Sequence, residues 1–227
     1  MVSLRTTREA AQPFVTYYDG ETGERTELSA TSLLNWQAKT ANYLRDGLAL
    51  DAGESISLSV PPHWVVPVWV GAAQLVGAHL RLGGGISDET ADIAVIGPND
   101  VSDPPKAHTL VACSLLPLAQ PFPSELPAAI EDYFGEVRQH GDFFASDTSA
   151  QSAATDLQTR ELVDTWGLSR GARIMVVATS RLSAAGLAAL YDVPRAIDGS
   201  VVIVANSTSN QLASIRTQEQ IDTTVPV

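Results

Sequence analysis

β-branched and aliphatic runs alternate with helix-spaced apolar patterns along almost the whole of this chain, and that alternation constrains the fold more than any single motif. Short strand-like runs separated by helical segments favour parallel strands joined by crossover helices, which means a layered α/β architecture. Residues 14–18 and 25–28 flank the glycine-containing turn 19–24 and predict a hairpin. Ser29 offers an N-cap, and Leu33, Trp36, Thr40 and Leu44 at helical spacing predict a helix up to Gly47, with Trp36 as a core anchor. A strand over 55–60, a helix over 64–76 closed by Gly77 and a strand over 78–82 predict a right-handed crossover between parallel strands. Further strands are expected over 92–96 and 109–113, and a helix over 127–139 whose Ile130, Tyr133, Phe134 and Val137 share one face. Residues 146–159 are rich in Ser, Thr, Ala, Gln and Asp and form the best hinge. The alternation then resumes with helices over 157–166, 183–191 and 210–218 and strands over 173–178 and 201–205. The expected fold is a three-layer α/β domain with two related, mostly parallel sheet-and-helix halves, about 1–145 and 156–227, joined by the polar loop.

Composition narrows the function classes. A chain of 227 residues with 44% hydrophobic and 18% charged residues is long enough to bury a core without staples. Its net charge of −12 repels nucleic-acid phosphates and anionic membranes, and the 12 Arg and 2 Lys are scattered without a basic patch. No nucleic-acid or membrane partner is therefore expected. Cys113 is the sole cysteine, so neither an intrachain disulfide nor a cysteine-based zinc site can form. It lies in the apolar run Leu110–Cys113, where a buried small residue fits. Residues 1–12 lack the apolar core of a secretory signal. The longest apolar stretch, 64–73, is shorter than the roughly 20 residues of a spanning helix. These features point to the cytoplasm.

Chemistry-bearing patterns are sparse. Gly83-Gly84-Gly85 is neither a dinucleotide fingerprint nor a Walker A sequence, and Asp88 and Glu89 behind it make a poor phosphate cradle. No Gly-x-Ser-x-Gly elbow occurs. None of His63, His79, His108 and His140 has a partner evident from spacing. His63, just before a helix, is placed to help shape a pocket, whereas His79 alternates with Ala78 and Leu80, which leaves buried and solvent-facing positions both open. Lys39 and Lys106 do not follow a glycine-rich loop. Arg170, Arg173 and Arg181 cluster near one strand, free to serve a phosphate or to pair with surface carboxylates. No catalytic residue and no metal site is assigned.

The order of these elements resembles the opening of acyl-CoA synthetases and peptide-synthetase adenylation domains, the adenylate-forming superfamily. Phe14-Val15-Thr16-Tyr17 followed by Leu28–Leu33 is similar to their start. Residues 48–58 look like their "gly-val-x-x-gly-asp-x-val" passage, and Leu75-Val76-Gly77-Ala78 like the end of "leu-ala-val-x-lys-ala-gly-ala". Ala184-Ala185-Gly186-Leu187 resembles the "his-x-x-gly" helix, and residues 198–204 the "gly-gly-x-val-val-leu" strand. The resemblance covers nearly the whole chain but only the front portion of a full member, as in short actinobacterial proteins that carry this portion alone.

The departures matter as much as the matches. Where the family has a glycine-rich phosphate loop ending in Pro-Lys-Gly, this chain has residues 147–155, which keep hydroxyls at Thr148, Ser149, Ser152 and Thr155 but have no glycine and no lysine. The family's pocket histidine falls at Ser183, with Gly186 beside it as the other pocket candidate. The adenine, ribose and catalytic-lysine segments have no counterpart in these residues. The resemblance with these departures implies a non-catalytic adenylation-fold protein, with no cofactor, binding a protein partner or a small ligand. Self-association through surface left by the missing subdomain is a further expectation. The alternative is part of an acid-activating enzyme completed by a second polypeptide.

Overall fold

The computed structural model describes residues 10–83, 90–145, 153–178 and 182–225, with the backbone alone for 153–155. In chain order the strands are β1 (Pro13–Asp19), β2 (Arg25–Ser29), β3 (Ser55–Ser59), β4 (His79–Leu82), β5 (Ala91–Ile96), β6 (Ala107–Ala112), β7 (Ile130–Asp132), β8 (Arg173–Val177), β9 (Ser200–Ala205) and β10 (Thr223–Val225). The helices are α1 (Ala30–Asn42), α2 (Val65–Val76), α3 (Tyr133–Glu136), α4 (Ala153–Thr165), α5 (Ala184–Leu190), α6 (Asp192–Ala196) and α7 (Ser209–Gln218). The chain divides into two compact units, one of residues 1–33, 61–67 and 151–227, the other of residues 34–60 and 68–150.

The first unit is built on a five-stranded sheet in the order β10-β8-β9-β1-β2. All neighbours are parallel except the hairpin β1–β2, whose antiparallel pairing leaves β2 at an edge. β9 reads Ser-Val-Val-Ile-Val-Ala and is buried at every position, as a central strand packed on both faces requires. Met175, Val202 and Val204 form one face under Leu212 and Ile215 of α7. That helix starts where it does because Thr208 and Gln211 cap each other reciprocally, meeting two otherwise orphaned N–H groups.

The second unit carries an all-parallel sheet in the order β4-β3-β5-β6-β7. The β3–α2–β4 crossover is as expected, and Gly77 at φ 73° ends α2 while the Ala78 N–H reaches back to the Ala73 carbonyl. Trp69, Tyr133 and Phe134 are fully buried and interlock, with ring centroids 4.9 Å and 4.8 Å apart in succession. Trp36 is half-buried and meets Phe134 edge-on at 6.2 Å, so it anchors the rim of this cluster rather than its centre.

Three expectations differ from the structure. The helix over 127–139 is replaced by β7, α3 and a short 3₁₀ turn. Ile130 extends the sheet beside Leu110, and Asp132 then caps α3 by accepting the N–H groups of Phe134 and Gly135. Ile130 packs with Ala94, Ile96 and Ala112, whereas Tyr133 and Phe134 join Trp69, so the four residues do not make up one helical face. The helix expected from 157 begins at Ala153, and α1 ends in a π-turn over Tyr43–Gly47. The short elements α6 and β10 carry too few residues for a period to show.

Candidate functional site

In open parallel sheets, ligands bind beyond the carboxyl ends of the strands, where successive connections leave in opposite directions. In the first unit β8 leads to β9 on one side, and β9 leads back to β10 on the other, so this reversal lies at the carboxyl ends of β8 and β9. The described residues at that edge are Ala178, Asn206 and Ser207, with Asp19 at the end of the adjacent β1. Asn206 adopts φ 47°, and its amide donates to Asp19 Oδ2 at 2.9 Å. The N–H groups of Glu21 and Thr22 donate to Asp19 Oδ1 at 2.8 Å and 3.0 Å. Burial opposes ionisation of Asp19, but the N–H of Thr22, the Asn206 amide and the N–H of Glu21 outweigh it and hold the carboxyl below its usual range. Gly20 lets the turn lie close to β9, since a Cβ there would stand 2.6 Å from the Asn206 carbonyl oxygen.

His63 belongs to the same unit and packs its ring on Tyr17, 4.4 Å between centroids. It is only 2% exposed. Its Nδ1 accepts the Val65 N–H at 3.3 Å, which places the imidazole proton on Nε2, and that donor has no acceptor among the described residues. Burial pushes its pKa down to about 3, with Asp19 pulling the other way. His63 is thus neutral at physiological pH and cannot take a proton as a general base there. Nearby, burial raises the Glu24 carboxyl, Asp19 adds to the rise, and Thr26 opposes it by donating at 2.6 Å.

Of the arginines singled out by the sequence, the two described ones are paired. Arg173 meets Glu219 in an ion pair and donates to Thr16 Oγ1 at 2.9 Å and Ser200 Oγ at 3.0 Å. Glu219 also accepts the Tyr18 hydroxyl proton and an Arg25 N–H at 3.1 Å. Arg173 and Ser200 sit where β8 and β9 begin, whereas Tyr18 and Arg25 reach Glu219 from the end of β1 and the start of β2. Arg170 pairs with Asp198 at 2.7 Å, and Arg181 lies outside the described residues.

The other candidates are dispersed. Thr148, Ser149 and Ser152 lie outside the described residues, and Thr155 falls within α4. Ser183 is the N-cap of α5, its Oγ accepting the N–H of the buried Gly186 at 2.9 Å. Gly83 directly follows β4, while Gly84 and Gly85 are outside the described residues. Cys113 is fully buried, and burial pushes its thiol up to about 12, so it carries no reactive thiolate. Among the described residues no cluster of His, Cys, Asp and Glu fits a metal ion, and no helix is long and apolar enough to cross a membrane. The Tyr17–His63 stack and the Asp19–Asn206 bond escaped sequence reasoning because their members are 46 and 187 residues apart.

No protein-family profile matches the chain. It is 32% identical over 204 residues to a TIGR03089 family protein of Mycobacterium tuberculosis, which spans 87% of this chain and 81% of that one. The chain belongs to the TIGR03089 family. Among solved structures it superposes on an acyl-CoA synthetase of Brucella canis with a TM-score of 0.73 at 13% identity, covering 94% of this chain and 44% of the synthetase. An acetoacetyl-CoA synthetase of Streptomyces lividans gives 0.70 at 15% identity, with 98% and 41% covered. Apo MatB of Rhodopseudomonas palustris gives 0.66 at 11% identity, with 92% and 45% covered. The fold is therefore the adenylate-forming one expected from the resemblance, and the chain spans less than half the length of these three structures.

Proposed function

We propose that this family member is a non-catalytic adenylation-fold protein that acts in the cytoplasm by binding a protein partner or a small ligand. The observation that carries this reading is the acidic carboxyl edge of the first sheet. An adenylating enzyme must offset the charge of a triphosphate with cations or backbone donors where the phosphates approach. At this edge the described charged groups are Asp19, Glu21, Glu24 and Arg25, of which Arg25 is paired with Glu27 and Glu219, and the nearby N–H groups of Glu21 and Thr22 are already spent on Asp19. Arg173 and Arg170 are committed to carboxylates elsewhere. The 147–155 segment, lacking glycine and lysine, points the same way.

Isothermal titration with Mg-ATP, alone and with a panel of short, long and aromatic carboxylic acids, tests the reading. No heat of ATP binding is expected. A micromolar dissociation constant would overturn it and favour the other reading, a fragment of an acid-activating enzyme completed by a second polypeptide. Support for that second reading comes from the close superposition on synthetases more than twice its length.

A further inference from the structure

Among the described residues the first sheet ends on β2, with no strand beyond it. Alternation of the hydrogen bonds decides which backbone groups of β2 face outward. The Asp19 N–H donates to the Glu24 carbonyl across the hairpin, and the Gly20 N–H turns the other way, to the Ala205 carbonyl of β9. Odd-numbered residues of β1 therefore address β2, and even-numbered ones address β9. Through the register Tyr17↔Thr26 and Val15↔Leu28, Thr26 and Leu28 spend their backbone groups on β1. Arg25 and Glu27 turn theirs away from the sheet, and those groups make no hydrogen bond among the described residues.

An unpaired edge is a template for another strand, and charges placed on it ordinarily repel one. Here the charges are Arg25 and Glu27, on one face of β2, 2.7 Å apart in an ion pair and both open to solvent. A strand that reads plus, neutral, minus is complementary to its own reverse in one antiparallel register. In that register Thr26 faces Thr26 of a second copy, and each Arg25 faces Glu27 of the other chain. The backbone favours the same register. Arg25 and Glu27 carry the outward groups and so form the hydrogen-bonded pairs, while Thr26 forms the non-hydrogen-bonded pair on the two-fold axis. Centring the pairing on Glu27 or on Arg25 instead would oppose like charges, which is destabilising. Arg25 need not leave its present partners, since its bonds to Tyr18, Glu27 and Glu219 use only Nε and Nη2. Glu27 holds Arg25 through Oε2, and its Oε1 accepts nothing among the described residues.

We propose that β2 is a self-association edge. Two copies of the chain pair β2 with β2, antiparallel about a two-fold axis at Thr26, and join their first sheets into one continuous sheet. The occupant is a second copy because the charge order of β2 selects its own reverse, which every copy supplies. Contact centred on a five-residue strand is smaller than a standard interface, so the association is weak, with a Kd of about 10–100 μM. ATP binding does not enter into this pairing, so the two tests succeed or fail independently.

Sedimentation equilibrium of the full chain over a concentration series should give a monomer–dimer equilibrium. E27R opposes like charges in both pairs and should weaken dimerisation by about tenfold or more. E27P should do the same by removing an outward N–H, while the β1–β2 bonds stay because proline is tolerated on an edge strand. Cysteine variants read the register. Cα atoms of the Thr26 pair would stand about 4.5 Å apart, so T26C should link two chains through a disulfide on air oxidation. E27C should not link to itself, because its Cα atoms would be about 8 Å apart. Cys113 is fully buried and takes no part. Circular dichroism checks that each variant is folded; should E27P unfold, E27R and the two cysteine variants decide. A monomer at every concentration, dimerisation unchanged in E27R, or E27C linking as readily as T26C would each overturn the proposal.

Discussion

In the first unit a single carboxylate, Glu219, is held by two arginines and a tyrosine where α7 ends against the sheet; in the second, Trp69, Tyr133 and Phe134 are buried ring against ring. The aromatic cluster still contains polar atoms, but each hydroxyl has a short local answer. Tyr133 meets Thr40 Oγ1 at 2.7 Å, and Tyr43 donates to Glu131 at 2.6 Å. The first unit instead ties β1, β2, β8, β9 and the end of α7 through one charged hub. Ring packing tolerates loss of a polar partner better than loss of volume, whereas an ion hub depends on every member because a stranded charge is costly.

The largest effect is expected from the ring cluster. Trp69→Ala should destabilise by about 3–5 kcal/mol through cavity formation, measured by urea unfolding. Glu219→Ala should cost about 2–4 kcal/mol, because it leaves Arg173 in a largely buried place without its counter-charge; Glu219→Gln, which keeps acceptors, should cost clearly less. If Glu219→Ala were the milder of the pair by a wide margin, and equal to Glu219→Gln, the hub would contribute packing rather than charge.

pH separates the units further. His63 has a folded pKa of about 3, against about 6.5 when unfolded, so its contribution is fully present above pH 6.5 and is lost as pH falls from there toward 3. At pH 5 the loss amounts to roughly 2 kcal/mol. Glu219 adds a second acid loss at lower pH. Burial works against its ionisation, but Tyr18, Arg173 and Arg25 outweigh that and hold its folded pKa below the unfolded value of 4.5. Its contribution therefore fades only as pH drops below about 4.5. Chemical denaturation from pH 7.5 to 4.5 should show a decline that His63→Gln removes; an identical decline in that variant would refute the assignment. The smallest effect is at the α5 cap, where Ser183→Ala should cost about 1 kcal/mol. A loss well beyond that would mean Ser183 does more than cap.

Much of the architecture was legible because strands and helices leave periods in the sequence: 55–60, 64–76, 173–178 and 201–205 all fall on elements of the expected kind. The 127–139 segment misled because an i, i+3, i+4, i+7 pattern is also produced when a short strand runs into a short helix and each buries its own apolar residues. The candidate site was far less legible. Ser183 was visible only as a match to a family position, and its use as a cap follows from backbone geometry at Gly186.

The sequence by itself determined the α/β class, the family resemblance, the single cysteine and the absence of glycine and lysine from the phosphate segment, since these are matters of residue type and spacing. Only the tertiary structure decided which sheet β1 and β2 join, that Arg173 is spent on Glu219, and that His63 lies neutral against Tyr17. Each of these depends on strand order and register, through which residues far apart in the chain become neighbours, and local periodicity carries no record of either.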